Sequence, residues 1–252
     1  MLKTRVIPVL LLKDRGLYKT VKFSTPKYVG DPINVVKIFN DKEVDELVLL
    51  DIAASKEGKG PDFELIEQCA SECFMPLCYG GGIRNLDQVK RLFSLGIEKV
   101  CLQSAALEDL TIVSEISKCF GNQSVVVSVD IKKNWLGKRE IYAAAKGKSI
   151  GKAMLPYLKE LEAAGAGEIF LTAVDKEGTM KGMDLDLIKE ASASVSIPLI
   201  ASGGIGSFQD MKQAMDAGAH ALGIGSFFVF QGPHRAVLIS YPSQAELKEI
   251  LK

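Results

Sequence analysis

Two glycine-rich runs far apart in the chain are the first residues that could do chemistry. Gly81 and Gly82 lie in Pro76-Leu-Cys-Tyr-Gly-Gly-Gly-Ile-Arg84, and Gly203 and Gly204 lie in Pro198-Leu-Ile-Ala-Ser-Gly-Gly-Ile-Gly206. Glycine lets backbone N–H groups approach an anion closely. Each run is followed downstream by a second polar pair, Gln103-Ser104 and Gly225-Ser226. A hydroxyl beside the N-terminus of the next helix adds donors and a favourable dipole. Tight turns explain many single Gly pairs. Here the offset of 122 from Gly81 to Gly203 recurs from Ser104 to Ser226. Two repeat-related phosphate sites are therefore expected. If they face each other across one mouth, the substrate is long and carries phosphate at both ends.

Asp130 ends the apolar run Val125-Val-Val-Ser-Val-Asp130, where it is read as a general acid/base. The alternative is an aspartate capping the following turn. Asp175-Lys-Glu-Gly178-Thr179 is either a further backbone donor to the second phosphate or an ordinary surface turn. Residues 15–30 are long for a connection after a first strand, so a lid is expected there. Its Lys19 and Lys22 are either solvated or bring charge to a bound phosphate. Arg5, Glu46, Lys99 and Glu168 each immediately precede a strand-like run. They are either four solvated rim charges or a ring of alternating sign on one axis; unpaired, such axial charges would be costly. Cys69 and Cys73 stand four apart on a predicted helix face, but no second pair completes a metal set. No metal and no cofactor is predicted, and the five cysteines are read as buried reduced thiols.

The elements that must position these residues alternate regularly. Strand-like runs cover 6–11, 47–50, 77–79, 100–102, 125–129, 169–172, 199–201 and 221–224, with helical spacing at 85–95, 152–164 and 208–217. Eight strands alternating with helices predict a parallel sheet, and strands apolar on both faces predict its closure. The expected fold is one (β/α)8 TIM barrel of two similar half-barrels, 1–121 and 122–252, with its site at the C-terminal strand ends. The 252 residues suit one such domain.

Thirty-one basic and 31 acidic residues balance, which argues against nucleic acid or a membrane surface as partner. The apolar run at 6–12 is too short for a secretory signal or a span, and a cytoplasmic protein is expected.

Read together, Arg5-Val-Ile-Pro, Gly30-Asp-Pro32, Asp45-Glu-Leu-Val-Leu-Leu-Asp-Ile-Ala-Ala-Ser55, residues 76–84, Ala164-Gly-Ala-Gly-Glu168, Gly178-Thr179 and residues 197–204 resemble the cyclase subunit of imidazole glycerol phosphate synthase, nearly end to end. The resemblance implies a glutaminase subunit docked on the N-terminal barrel face and ammonia passing down the barrel. It makes Arg5, Glu46, Lys99 and Glu168 an ammonia gate and Asp130 one of two catalytic aspartates. It also implies a bis-phosphorylated or nucleotide-linked substrate. The other family aspartate falls on Leu11, which transfers no proton. Gln103-Ser104 replaces an Asn-Thr pair, Glu177 an aspartate, and 230–243 departs from the family's shorter connection on the catalytic face. These departures resemble divergent paralogues tied to bacterial surface sugars, in which a separate sugar amidotransferase receives the ammonia. Two alternatives stay open: a working cyclase of histidine biosynthesis, and a non-catalytic ammonia-conducting scaffold that activates the glutaminase.

Overall fold

The short runs rich in Val, Ile and Leu pair side by side, all parallel, until the last meets the first. In the computed structural model, which describes residues 4–251, these strands are β1 (Arg5–Lys13), β2 (Leu47–Asp51), β3 (Leu77–Gly80), β4 (Lys99–Leu102), β5 (Val125–Lys133), β6 (Glu168–Ala173), β7 (Leu199–Ser202) and β8 (Ala221–Ile224). Pairing runs in that order, and Arg5↔Ala221 to Pro8↔Ile224 close β8 onto β1. The result is a closed (β/α)8 barrel.

Strand alternation divides the apolar residues into two cores. In β1, Val6, Leu10 and Leu12 face outward to the helices, while Ile7 and Val9 fill the barrel with Val48, Cys101, Phe170 and Ile200. Both faces of each strand are buried, which accounts for the unbroken apolar runs. The surrounding helices are α1 (Pro32–Asp41), α2 (Phe63–Ser71), α3 (Leu86–Ser94), α4 (Thr111–Phe120), α5 (Met154–Ala164), α6 (Leu185–Ser192), α7 (Phe208–Asp216) and α8 (Gln244–Ile250). Asp31, Asp62, Asn85, Asp184, Ser207 and Ser243 each cap one of them by accepting from an N–H of the first turn.

Two hairpins rise above the C-terminal rim. Residues 15–30 are not a loose lid. They form antiparallel strands Gly16–Val21 and Ser24–Gly30, the first paired with the end of β1 through Leu11↔Tyr18. The end of β5 pairs likewise with Arg139–Ala143 through Ile131↔Ile141. β1 and β5 are both nine residues long, so each half of the barrel extends its first strand into a hairpin. Beyond β8, residues 230–243 begin on this same face with the small hairpin Phe230–Gln231 and Ala236–Val237. They then return to the opposite rim, where the Tyr241 hydroxyl donates to the Val6 carbonyl at 2.9 Å.

The cysteines depart from expectation. Cys69, Cys78 and Cys101 are buried, but Cys73 is half-buried and Cys119 is exposed. Cys73 also lies past the end of α2, because that helix stops at Ser71. Among the described residues no group of three or more His, Cys, Asp or Glu is placed to hold a metal ion. No helix of theirs is long and apolar enough to cross a membrane.

Candidate active site and rim

Asp130 follows Val126 and Ser128 on the inward face of β5, so alternation aims its carboxyl into the barrel mouth. It is 4 % exposed. Its Oδ2 accepts from Gln103 Nε2 at 2.5 Å and its Oδ1 from the Ser128 hydroxyl at 3.2 Å. Burial raises its pKa to about 6, against hydrogen bonds from Gln103, Ser128 and Thr172 that lower it. A carboxyl poised near neutrality can take up or release a proton. Its partners are side chains, so the turn-capping alternative does not describe it.

The mouth above it is a cavity of about 480 Å³. Leu11 lies on its β1 wall, near Val9, Leu50 and Phe170. Other acids at the rim are engaged. Asp51 Oδ1 accepts from Ala53 and Ala54 N–H at 2.9 Å each, and Glu177 accepts from the Thr20 hydroxyl at 3.1 Å.

Lys19, expected on a lid, is 3 % exposed. Its ammonium donates to the Val9 carbonyl, and burial lowers its pKa to about 8, opposed by Glu177. Lys22 is exposed at the hairpin turn. The Lys22 N–H donates to the Glu177 carbonyl at 3.0 Å, so the first hairpin is tied to the loop of residues 175–179 in the other half.

The two glycine runs have matching geometry. Gly81 and Gly203 take φ of +115° and +97°, and a Cβ would drive into the Asp51 carbonyl at one and the Ala173 carbonyl at the other. Their polar partners differ. Beside Gly81, the Gly82 N–H donates to Ser55 Oγ at 3.1 Å, and Gln103 Oε1 accepts from Ala144 N–H at 3.1 Å. Ser104 opens a five-residue helix, Ser104–Glu108. Gln103 therefore faces Asp130 and the second hairpin instead of an open anion site. Across the mouth, Gly178, Ser202, Gly203, Gly204, Gly225 and Ser226 line a small cleft. Ser226 Oγ is buried there without a hydrogen-bond partner among the described residues.

At the opposite end of the barrel the four rim charges meet. Arg5 binds Glu46 and, at 3.1 Å, Glu168; Lys99 binds Glu46 at 3.0 Å and Glu168 at 3.1 Å. This is the ring of alternating sign, with Glu46 only 2 % exposed. Glu168 Oε2 is buried without a partner among the described residues. Apolar Ile7, Val48, Cys101 and Phe170 separate the ring from the mouth.

Sequence reading missed Ser128, Thr172, Thr20, Ser55 and the second hairpin. Ser128 was within reach, two residues before Asp130 on the same strand face. Thr172 required the β5–β6 register that sets it opposite Asp130.

A closed (β/α)8 barrel with paired glycine turns at its mouth and a charged ring beneath defines a class of two-ended barrel proteins. Comparison with known proteins narrows it. The histidine biosynthesis protein family matches residues 5–234. A Pseudomonas aeruginosa protein provisionally named an imidazole glycerol phosphate synthase subunit, hisF2, is 50 % identical, over 98 % of this chain and 99 % of its own. A Leptospira interrogans protein with the same provisional name, HisF, is 47 % identical over 100 % and 99 %. The imidazole glycerol phosphate synthase subunit HisF of Exiguobacterium sibiricum is 38 % identical over 90 % and 91 %. The chain belongs to the histidine biosynthesis protein family, among relatives of the HisF cyclase-subunit type.

Proposed function

We propose that this chain is the synthase subunit of a glutamine amidotransferase pair, and that it passes ammonia through its barrel to a reaction other than imidazole ring closure. The observation that carries the reading is the complete charged ring below a mouth that keeps Asp130 but has Leu11 on the β1 side. Neutral ammonia crosses an apolar interior at modest cost, whereas an ammonium ion does not. The ring of Arg5, Glu46, Lys99 and Glu168 would admit the neutral form from a glutaminase on the N-terminal face. Leu11 offers no charge to hold ammonium, so ammonia reaches the mouth as a nucleophile. The acceptor in this reading is a sugar undergoing amidination for a surface polysaccharide, carried by a separate amidotransferase. Trp135 and Leu136, exposed at the tip of the second hairpin, support a protein partner on the mouth face.

Co-expression with a glutaminase subunit from the same organism tests this directly. We expect glutamine-dependent ammonia delivery together with no rescue of a histidine auxotroph, and we expect Leu11→Asp to raise cyclase turnover. Cyclase turnover by the natural chain at the rate of histidine-pathway relatives would sink the proposal.

The cyclase reading has one observation in its favour, the poised Asp130 and the buried Lys19 lining one mouth. It requires those two groups to do the work of two aspartates, and the same auxotroph decides it. In the scaffold reading neither residue is needed, so Asp130→Asn would leave coupled product formation unchanged.

A further inference from the structure

Exposed apolar side chains gather on the mouth face. Among the described residues, six of the nine large apolar side chains left exposed stand on or beside the hairpins or at a C-terminal strand end: Tyr28, Ile52, Trp135, Leu136, Val237 and Leu238. Trp135 is the most exposed of them, at 90 %, and Leu136 beside it is at 69 %. Their turn is tightly built. Asn134 Oδ1 accepts from the Leu136 and Lys138 N–H at 3.0 Å each, and the Gly137 N–H donates to the Asn134 carbonyl at 2.9 Å. Asn134 Nδ2 donates to Glu140 at 2.9 Å. A tip held in this way loses little freedom when something covers it. Positive charge gathers on the same face. Residues 15–30, 132–148 and 230–237, which build the three hairpins, carry eleven Lys or Arg and one acid, Glu140, in a chain whose net charge is zero. The barrel answers some of these charges: Asp62 and Glu64 bind Arg15, and Asp184 binds Lys133 and Arg139. Lys22, Lys138, Lys146 and Lys148 are exposed and enter no ion pair among the described residues.

We propose that this basic, apolar-tipped face is the docking surface for a protein whose own surface is acidic around an apolar pocket, and that Trp135 is the anchor entering that pocket. The proposal deepens the function given above and rests on it. Ammonia released from the mouth into water is protonated and stops being a nucleophile, so its acceptor has to sit over the opening. The second hairpin suits that place. Its base puts Tyr142 and Ala144 on the wall of the mouth, while its tip stands in solvent. Residues that dominate interfaces are enriched in Trp, seated in desolvated pockets. Carboxylates facing the surrounding lysines speed encounter and fix the partner's orientation. A folded protein is the occupant these observations favour over a lipid surface. The apolar side chains are divided among three hairpins set round an opening, where a surface shaped to them engages several, whereas a membrane anchor concentrates its apolar residues on one face of one stretch.

The test runs first in the producing organism and then with purified proteins. A photo-crosslinking amino acid replaces Leu136, Leu238 or, as a control on an outer helix, Ile38 in the full chain expressed with its glutaminase subunit. We expect one protein to be joined from both Leu136 and Leu238 and not from Ile38. That protein, purified, is then titrated against the natural chain, Trp135→Ala, and a triple variant carrying Lys138→Glu, Lys146→Glu and Lys148→Glu. Trp135→Ala is expected to weaken binding by about tenfold or more. The triple variant is expected to slow association by about tenfold or more, and added salt to slow association of the natural chain. Sedimentation with phosphatidylglycerol–phosphatidylcholine vesicles runs alongside. No protein common to Leu136 and Leu238, binding that either variant leaves unchanged, or co-sedimentation with vesicles that Trp135→Ala abolishes would each overturn the proposal. The salt dependence of the natural chain stands even if a variant fails to fold. Docking that meets these expectations without glutamine-dependent amination of an acceptor ends the function proposed above and keeps the surface. Amination that survives both variants ends the surface and keeps the function.

Discussion

Asp130 has the strongest pH signature in the mouth. Burial raises its carboxyl from the ordinary 3.8 to about 6, so the folded state favours the protonated form. The stabilisation this gives is complete below the unfolded value and is lost as pH rises through about 6. Asp130→Asn removes the ionisable group. The variant should match the natural chain in urea melts at acid pH, where both are neutral, and exceed it by about 3 kcal/mol at pH 8. Equal stabilities at pH 8 would mean that the carboxyl is better solvated than its burial implies. If Asp130 transfers the proton, the same variant should lose about 10²–10⁴-fold in coupled product formation.

At the scale of elements, three carboxylates hold the second hairpin to the barrel: Asp175 accepts from Lys133 N–H at 2.7 Å, Glu190 binds Arg139 at 2.8 Å, and Asp184 binds both strands. Asp184 caps α6 by accepting from Leu187 N–H at 3.1 Å, and it also binds Arg139 at 2.7 Å and Lys133 at 2.9 Å. One side chain therefore ends a loop, starts a helix and pins both strands of a hairpin that carries Ala144 to Gln103. Asp184→Ala should cost about 1–2 kcal/mol through the lost cap. It should also accelerate amide exchange in Arg139–Ala143 while leaving exchange in β1 unchanged; uniform protection would show that the hairpin is held without Asp184. Neither hairpin was legible in the sequence. Residues 132–148 are rich in lysine and offer only Ile141 and Ala143 at alternate positions, a pattern too short to read as a strand although both are buried.

For the molecule as a whole, the barrel separates two faces of different chemistry. The N-terminal face carries the charged ring and, nearby, Phe74, which is 83 % exposed between α2 and β3. An exposed aromatic beside the mouth of a proposed channel suits a partner interface. Phe74→Ala should weaken capture of the glutaminase by about 2 kcal/mol or more, read as faster dissociation, with monomer stability unchanged. Unaltered dissociation would move the proposed glutaminase contact elsewhere on the molecule.

Periodicity, by itself, determined the barrel. Eight runs buried on both faces have few ways to pack other than a closed parallel sheet, and the 122-residue offset placed equivalent glycines at equivalent strand ends. It also marked Asp130 as inward-facing, while Leu11 stood out as a departure only through the family resemblance. Only the tertiary structure decided which polar groups meet. Whether Arg5, Glu46, Lys99 and Glu168 were solvated or ringed depended on the strand register and tilt that bring four rims to one axis. Whether Gln103 faced an anion or Asp130 depended on the second hairpin delivering Ala144 to its other end. Such pairings join residues tens of positions apart, and no local pattern records them. The two ends of the mouth, so alike in sequence, part company through those hydrogen bonds.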